Sequence, residues 1–295
     1  MEKILLIINP AAGRSGAKIK TFPIADWFRK KGCDPTVRIT AKKGDATDFA
    51  KQYAGENDAV VCCGGDGTLN EVISGVMQAA ADKPIGYLPT GTTNDMAKTL
   101  QLPTNLKKAA RVVLNGKPVY QDVGLLNQTQ FFTYIASFGA FTKVSYATPQ
   151  WLKNRFGHFA YVVDGIKSVG EIHPYRAKVV SDEWEEEGDF LFGSVTNSSS
   201  VGGVLNFRSA DICLNDGEFE VLLIRNPQNL LEFNRMLHNL RRHKSDPNLL
   251  FFHTRRIVFQ FEKQTDWTVD GEYGGGLDKA EIKNLHNAVR IIRRK

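Results

Sequence analysis

Gly64-Gly65-Asp66-Gly67-Thr68-Leu69-Asn70-Glu71 places one carboxylate among three glycines, between a run of apolar residues and a helical pattern. Ala59 to Cys63 reads as a fully buried strand, and Leu69, Val72, Ile73 and Val76 recur at helical spacing after it. Glycines let a ligand approach the main chain closely. The N–H groups and dipole at the following helix start favour bound phosphate. An acid in that turn can hold the metal ion that accompanies a nucleotide. The plain alternative is a strand-to-helix turn, for which three glycines around one acid would be a wasteful choice.

Two more loops share this character. Ile4 to Ile8 is an apolar strand followed by Asn9-Pro10-Ala11-Ala12-Gly13, and Pro84 to Leu88 is another, followed by Pro89-Thr90-Gly91-Thr92-Thr93-Asn94-Asp95. In a parallel sheet the strand carboxyl ends lie on one edge, so the three loops are expected to converge into a nucleotide site. The P-loop pattern G-x-x-x-x-G-K-[ST] is absent. The dinucleotide pattern fails as well, because Asn70 stands where its third glycine belongs.

GGDGTLNE, preceded by NPAAG and followed by PTGTTND, resembles the catalytic domain of the diacylglycerol kinase family, with the soluble bacterial lipid kinases nearest in length. GGDGT alone is shared with NAD kinases. Asn70-Glu71 and the PTGTTND loop point to the lipid-kinase branch. The resemblance runs through essentially the whole chain, since Asp270-Gly271-Glu272 falls where the family keeps its catalytic glutamate.

Phosphoryl transfer needs positioned phosphates, metal-neutralised charge and a base near the attacking hydroxyl. For ATP, the expected contacts are Asn9, Pro10, Ala11, Ala12 and Gly13, then Thr40, then Gly65, Asp66, Gly67, Thr68, Leu69, Asn70 and Glu71, and finally Thr92. Asp66, Asp95 and Asp122 sit at strand ends or in loops where carboxylates could share magnesium. A helix-capping role is the alternative for Asp95. For Asp122 the spacing says little, and the resemblance supplies the case. By spacing alone Glu272 divides evenly between a base and a solvent-facing residue after an Asp-Gly turn; the resemblance implies the base. It also implies a second, structural magnesium site on Asp216, completed by backbone carbonyls of flanking residues, here Cys213 and Glu218.

The 295 residues are 42% hydrophobic and 24% charged, ordinary values for a globular chain long enough for two domains. No apolar run reaches about 18 residues, and the N-terminal strand is too short for a signal-peptide core. The expectation is a cytoplasmic protein that associates reversibly with the inner face of the membrane. The four cysteines, Cys33, Cys62, Cys63 and Cys213, form no C-x-x-C pair, and adjacent Cys62 and Cys63, on opposite faces of a strand, read as buried thiols rather than a disulfide or metal site. A net charge of +6 and clusters at Arg14/Lys18/Lys20, Arg241-Arg242-His243-Lys244 and Arg290/Arg293-Arg294-Lys295 favour anionic phospholipid. No nucleic-acid module accompanies them, so nucleic acid is not expected as a partner. A homodimer stays open.

Strands and helices alternate as far as Tyr120–Gly124, which argues for a doubly wound parallel sheet. Beyond it, Phe131–Phe138, Tyr175–Val180, Phe190–Val195, Ile212–Leu214, Phe219–Ile224, Ile257–Phe261 and Trp267–Val269 read as strands, with a hairpin at Asp216-Gly217 and a short acidic loop over Glu183–Glu187. Only two helices interrupt, Phe156–Glu171 and Asn229–His243. The fold class expected is therefore α/β plus β. A nucleotide-binding domain like that of NAD kinases and diacylglycerol kinases would span 1–125, with 286–295 returning to it. A β-sandwich lipid-substrate domain would span 126–285. Phe131, Phe132, Tyr134, Phe138, Phe141, Tyr146, Trp151, Phe156, Phe159 and Tyr161 would be mostly core, some lining an acyl-chain cleft. The activity expected is an ATP- and magnesium-dependent lipid kinase acting on the hydroxyl of diacylglycerol or a related lipid at the membrane surface. The alternatives are kinases of sphingoid bases, phosphatidylglycerol or NAD, and a non-catalytic nucleotide-binding membrane sensor.

Overall fold

The computed structural model describes residues 1–13, 17–139, 173–197, 200–201, 205–206, 213–242 and 244–294. The chain divides into two compact units, Met1–Val123 with His286–Lys295, and Gly124–Leu285. Strand β5 (Lys117–Leu126) leads from the first into the second, and the final strand leads back.

In the first unit, β1 (Lys3–Ile8), α1 (Ala17–Lys30), β2 (Asp34–Ile39), α2 (Asp45–Tyr53), β3 (Ala59–Gly64), α3 (Asp66–Gln78) and β4 (Ile85–Pro89) alternate, followed by α4 (Asp95–Thr99) and α5 (Leu106–Asn115). The central strands are buried on both faces, as parallel strands under helices must be: Ile4, Leu6 and Ile8 join one core cluster while Leu5 and Ile7 are buried opposite. β1 pairs in parallel with both β2 and β3, and β3 pairs in parallel with β4. The spatial order is β2-β1-β3-β4, so successive connections leave β1 in opposite directions. That makes the gap between the carboxyl ends of β1 and β3 the topological switch point, where open α/β sheets bind ligands.

The final strand of the chain pairs in parallel with β4 through Ile291 and Ile85. Ile292 enters the core shared by β1, β3, α1 and α5.

The second unit is antiparallel. It contains β6 (Gln130–Phe132), β7 (Ile135–Gly139), β8 (Tyr175–Ser181), β9 (Glu185–Thr196), the short pair β10 (Ser200–Val201) and β11 (Leu205–Asn206), β12 (Phe219–Arg225), α6 (Leu230–Arg241), β13 (Leu249–Thr254), β14 (Arg256–Val269) and the part of β15 (Glu272–Arg293) that precedes His286. Alternation along β12 explains its two buried faces. Val221 and Leu223 join the large aromatic core with Phe138, Phe259 and Trp267, while Leu222 and Ile224 meet Met236, Leu237 and Leu240 of α6. Each such side chain contributes roughly 1.5–3 kcal/mol by leaving water.

Several elements differ from expectation. Phe131–Phe138 is two strands rather than one, because the Asp270 carboxylate takes the N–H groups of Thr133, Tyr134 and Ile135 and bends the chain there. Most of the acidic stretch is strand rather than loop: Glu183 lies in the turn after β8, while Glu185 and Glu187 sit in β9, paired across to Lys178 at 2.7 Å and Arg176 at 2.8 Å. Cross-strand pairs of opposite charge overcome the poor strand propensity of glutamate. Ile257–Phe261 and Trp267–Val269 merge into β14, and β13 was not anticipated. Leu214 lies in a turn, not a strand, and Ile212 is outside the described residues. The expected helix over Phe156–Glu171, the six aromatics from Phe141 to Tyr161, and Arg14 also lie outside them. Phe132 and Phe138 are fully buried core residues.

Candidate functional site

Three loops meet at the β1/β3 switch point. Asn9, just past β1, donates from its backbone to the Cys63 carbonyl (2.9 Å) and from Nδ2 to Thr68 Oγ1 (2.9 Å). Gly13 holds φ at +76°, and a Cβ there would stand 2.3 Å from the Thr90 carbonyl oxygen. A Cβ on Gly91 would come within 2.6 Å of Gly65 Cα. Bare backbone therefore touches bare backbone at the centre of the site. α3 begins here behind Gly65, which has no side chain to cap it. The first N–H groups of a helix have no intrahelical partner, so this start is open to an anion.

The first loop offers fewer donors than five residues suggest. Pro10 has no N–H, while Ala11 and Ala12 donate theirs to Asn9 Oδ1 (2.9 Å) and the Asn9 carbonyl (3.3 Å). Leu69 is buried, and Thr40 donates its N–H to the Ile8 carbonyl at 2.9 Å. The Glu71 side chain faces away from this centre: Oε1 accepts from Gly44 N–H (3.0 Å) and Oε2 from Ala46 N–H (3.3 Å), which caps the uncapped start of α2. Asn70 Oδ1 accepts from Ser74 Oγ at 3.1 Å, and Thr92 is exposed in the third loop.

Asp66 and Asp95 are brought together. Asp66 Oδ2 accepts the Asp95 N–H (2.9 Å) and Oδ1 the Met96 N–H (3.0 Å). Burial pushes the Asp66 carboxyl above its usual value, opposed by those two N–H groups. The Asp95 carboxylate turns to Lys98 Nζ at 2.8 Å. Asp95 is thus not the cap of α4; Asn94 holds the capping position in the left-handed region (φ 48°), and Asp66 supplies the acceptors. Asn94 Nδ2 donates to the Gly91 carbonyl (2.8 Å), and Tyr87 OH lies 3.4 Å from both Asp66 Oδ1 and Asn94 Oδ1. Tyr87 and Asn94 were not anticipated. Their signals were a single polar tip in an apolar strand and an asparagine just before a helix.

Asp122 does not join them. It is fully buried, accepting from Asn287 N–H (2.7 Å) with His286 Nδ1 at 3.1 Å. Gly116 abuts the Arg293 carbonyl and Asp122 abuts Asn287, so β5 runs antiparallel to the end of β15. Arg290 in turn binds Asp82, ahead of β4. Asp122 therefore lies toward the amino edge of the parallel sheet, opposite the three loops. Arg290, expected in a free basic cluster, is committed to that ion pair. Among the described residues, no three His, Cys, Asp or Glu side chains are grouped to hold a metal. Magnesium needs only one or two carboxylates beside phosphate oxygens and water, and Asp66 and Asp95 are the two acids that the structure brings to these loops.

In the second unit, Asp270 (φ 48°) and Gly271 (φ 84°) form a two-residue hairpin turn between β14 and β15. Asp270 accepts from Thr133 N–H (2.8 Å) and Oγ1 (3.1 Å), Tyr134 N–H (2.9 Å) and Ile135 N–H (2.9 Å). Glu272 follows as an exposed residue at the start of β15, paired with Val269. Asp216 Oδ1 accepts the Glu218 N–H at 3.0 Å in a turn closed by Gly217 (φ 86°), and Cys213 Sγ lies 3.2 Å from Asn215 Oδ1.

The diacylglycerol kinase catalytic domain model matches residues 3–126, which hold all three loops. The chain is 32% identical to the diacylglycerol kinase of Bacillus subtilis (strain 168), with 99% of this chain and 96% of that one aligned. It is 30% identical to the diacylglycerol kinase of Staphylococcus carnosus (strain TM300), over 98% and 94% of the two chains. A crystal structure of a diacylglycerol kinase from Bacillus anthracis str. Sterne superposes with a TM-score of 0.75 at 21% identity, over 99% and 97% of the chains. Another structure from that organism gives 0.83 at 23% identity, over 99% and 98%. The structural likeness speaks for the fold, and the sequence similarity reaches across both units: the chain belongs to the diacylglycerol kinase family of lipid kinases.

Proposed function

We propose that this protein is an ATP- and magnesium-dependent lipid kinase that phosphorylates the hydroxyl of diacylglycerol or a close analogue, giving a phosphatidate-like product. The observation that supports it best is the bare-backbone contact of Gly13, Thr90, Gly65 and Gly91 beside the uncapped start of α3. Backbone packed this closely brings the three loops together beside open helix N–H groups, an arrangement that suits a polyphosphate, and a Cβ on Gly13 or Gly91 would force the loops apart. Magnesium–ATP, when bound, supplies the transferable phosphoryl group and neutralises charge on its oxygens.

The chain's own residues then divide the work. N–H groups at the start of α3 bind phosphate oxygen. Asp66 fixes the Asp95–Met96 backbone and, with Asp95, would offer carboxylate oxygen to the metal. Glu272 accepts the proton of the attacking lipid hydroxyl, and Asp270 holds the turn that presents it. Asp216, with the Cys213 and Glu218 carbonyls, would hold a second magnesium that steadies this turn. Supplying labelled ATP with diacylglycerol, a sphingoid base, phosphatidylglycerol and NAD tests the reading. Label in diacylglycerol is expected, and label in NAD alone or in no acceptor overturns it.

A further inference from the structure

α6 lies against the sheet through Phe233, Met236, Leu237 and Leu240. The 3.6-residue period then turns Leu231, Arg235, His238 and Arg242 outward along one stripe. All four are exposed. Leu231 is 82% exposed and its neighbour Leu230 is 72% exposed, the two highest values among the large hydrophobic residues described. Fraying does not explain them, because the helix start is fixed. Asn229 Oδ1 accepts the Glu232 N–H (3.0 Å), and Glu232 Oε2 accepts the Gln228 N–H (3.0 Å). That capping box also occupies the one acid of the first turn.

The other end of the stripe is cationic. Arg242 and Lys244 are exposed and make no ion pair among the described residues, and Arg241 stands beside them in sequence. Arg235 is held by Asp246, whose side chain is fully buried, so that acid does not face outward. Leu231 and Arg242 are eleven residues apart, about three turns and roughly 16 Å along the axis, on the same face. A helix with apolar side chains at one end of its outer stripe and unpaired cations at the other fits a surface with both hydrocarbon and negative charge.

We infer that the outer stripe of α6 docks this protein on an anionic lipid bilayer, with Leu230 and Leu231 entering the interface and Arg242 and Lys244 meeting head-group phosphates. The occupant follows from charge complementarity together with the leucine pair, since a nucleic acid would use the cations and leave the leucines in water. The choice of a membrane rests on the lipid-kinase reading above, and the test separates the two.

Sedimentation of the full chain with mixed phosphatidylcholine–phosphatidylglycerol vesicles should show binding that weakens with salt, and much less binding to phosphatidylcholine alone. Leu230→Gln with Leu231→Gln should lower partitioning roughly tenfold, since the buried apolar area is lost. Arg242→Glu with Lys244→Glu should lower it about as much. Melting temperatures should match the parent in both variants, as all four side chains face solvent. Parent-level binding by both variants overturns the assignment to α6, as does a parent that ignores anionic vesicles or one in which RNA binding is lost with the cations and indifferent to the leucines. If the acceptor panel labels no lipid while both variants still lose vesicle binding, the kinase reading fails and the docking surface stands.

Discussion

The Asp66 carboxylate is the acceptor for the start of α4, taking the N–H groups of Asp95 and Met96 across 29 and 30 residues of sequence. One acid thereby couples the glycine turn after β3 to the loop after β4. Deletion would remove the proposed metal-binding role together with this structural one, so the pH dependence of stability becomes the cleaner measurement.

Asp66→Ala should lose turnover and also about 1–2 kcal/mol of stability, the usual cost of a lost cap. Asp66→Asn tests the charge. Burial raises the folded-state carboxyl above its unfolded value, so the stability it contributes is greatest below the unfolded value and is lost as pH rises through the folded one. Melting temperatures of parent and Asn variant, compared from pH 4 to pH 7, should therefore shift in favour of the Asn variant as pH increases. A shift in favour of the parent would show that the N–H bonds outweigh burial.

Gly91→Ala should raise the KM for ATP by roughly tenfold or more while the fold persists. Its Cβ would press on Gly65 Cα at 2.6 Å and force the two loops apart. A misplacement of about 1 Å can cost on the order of 10²-fold in rate. Unchanged ATP kinetics would mean that this contact does not shape the phosphate site.

Neighbours in one turn should behave oppositely. Glu272→Gln should lower kcat by roughly 10²–10⁴ with little change in melting, as loss of a general base does. Asp270→Ala should chiefly destabilise, by about 3 kcal/mol or more, because three backbone N–H groups lose their acceptor. Calorimetry with steady-state kinetics on both variants checks the division, and a Glu272→Gln enzyme of normal kcat removes the base assignment.

Thiol chemistry should be confined to one site on the surface. Burial pushes the Cys63 thiol up to about 12 and Cys62 well above its usual value, whereas Cys213 is exposed. Alkylation of the native protein followed by mass mapping should modify Cys213 and spare Cys62 and Cys63 until denaturant is added. Labelling of Cys63 in the native state would mean that β3 opens.

The parallel sheet was legible because apolar runs such as Ile4–Ile8 and Ala59–Cys63, each closed by glycine-rich loops, have few other readings. The three loops declared themselves for the same reason. The partners of the acids did not. Nothing around Asp66 announces that its oxygens serve residues 29 and 30 positions away, nor does Glu71 reveal that it caps α2. Asp122 beside Gly124 looked like another loop acid, and only the antiparallel course of β5 sends it to His286 and Asn287. The strand over Glu185–Glu187 was hidden for a related reason: it is held by pairing with β8, whose Arg176 and Lys178 answer its charges and which no local window contains.

The pairing of Ile291 with Ile85 has a consequence for how the molecule is made. The hydrogen-bonding edge of β4 is completed by residues that follow it by some two hundred positions. While the chain is being synthesised, that edge stays open, and an open apolar edge invites pairing with other chains. A fragment ending at Val123 should therefore aggregate, and a peptide of residues 286–294 added in trans should keep it in solution. The nascent chain therefore carries its first sheet unfinished until residues 286–293 emerge, so closure of that sheet waits on the whole second unit being made.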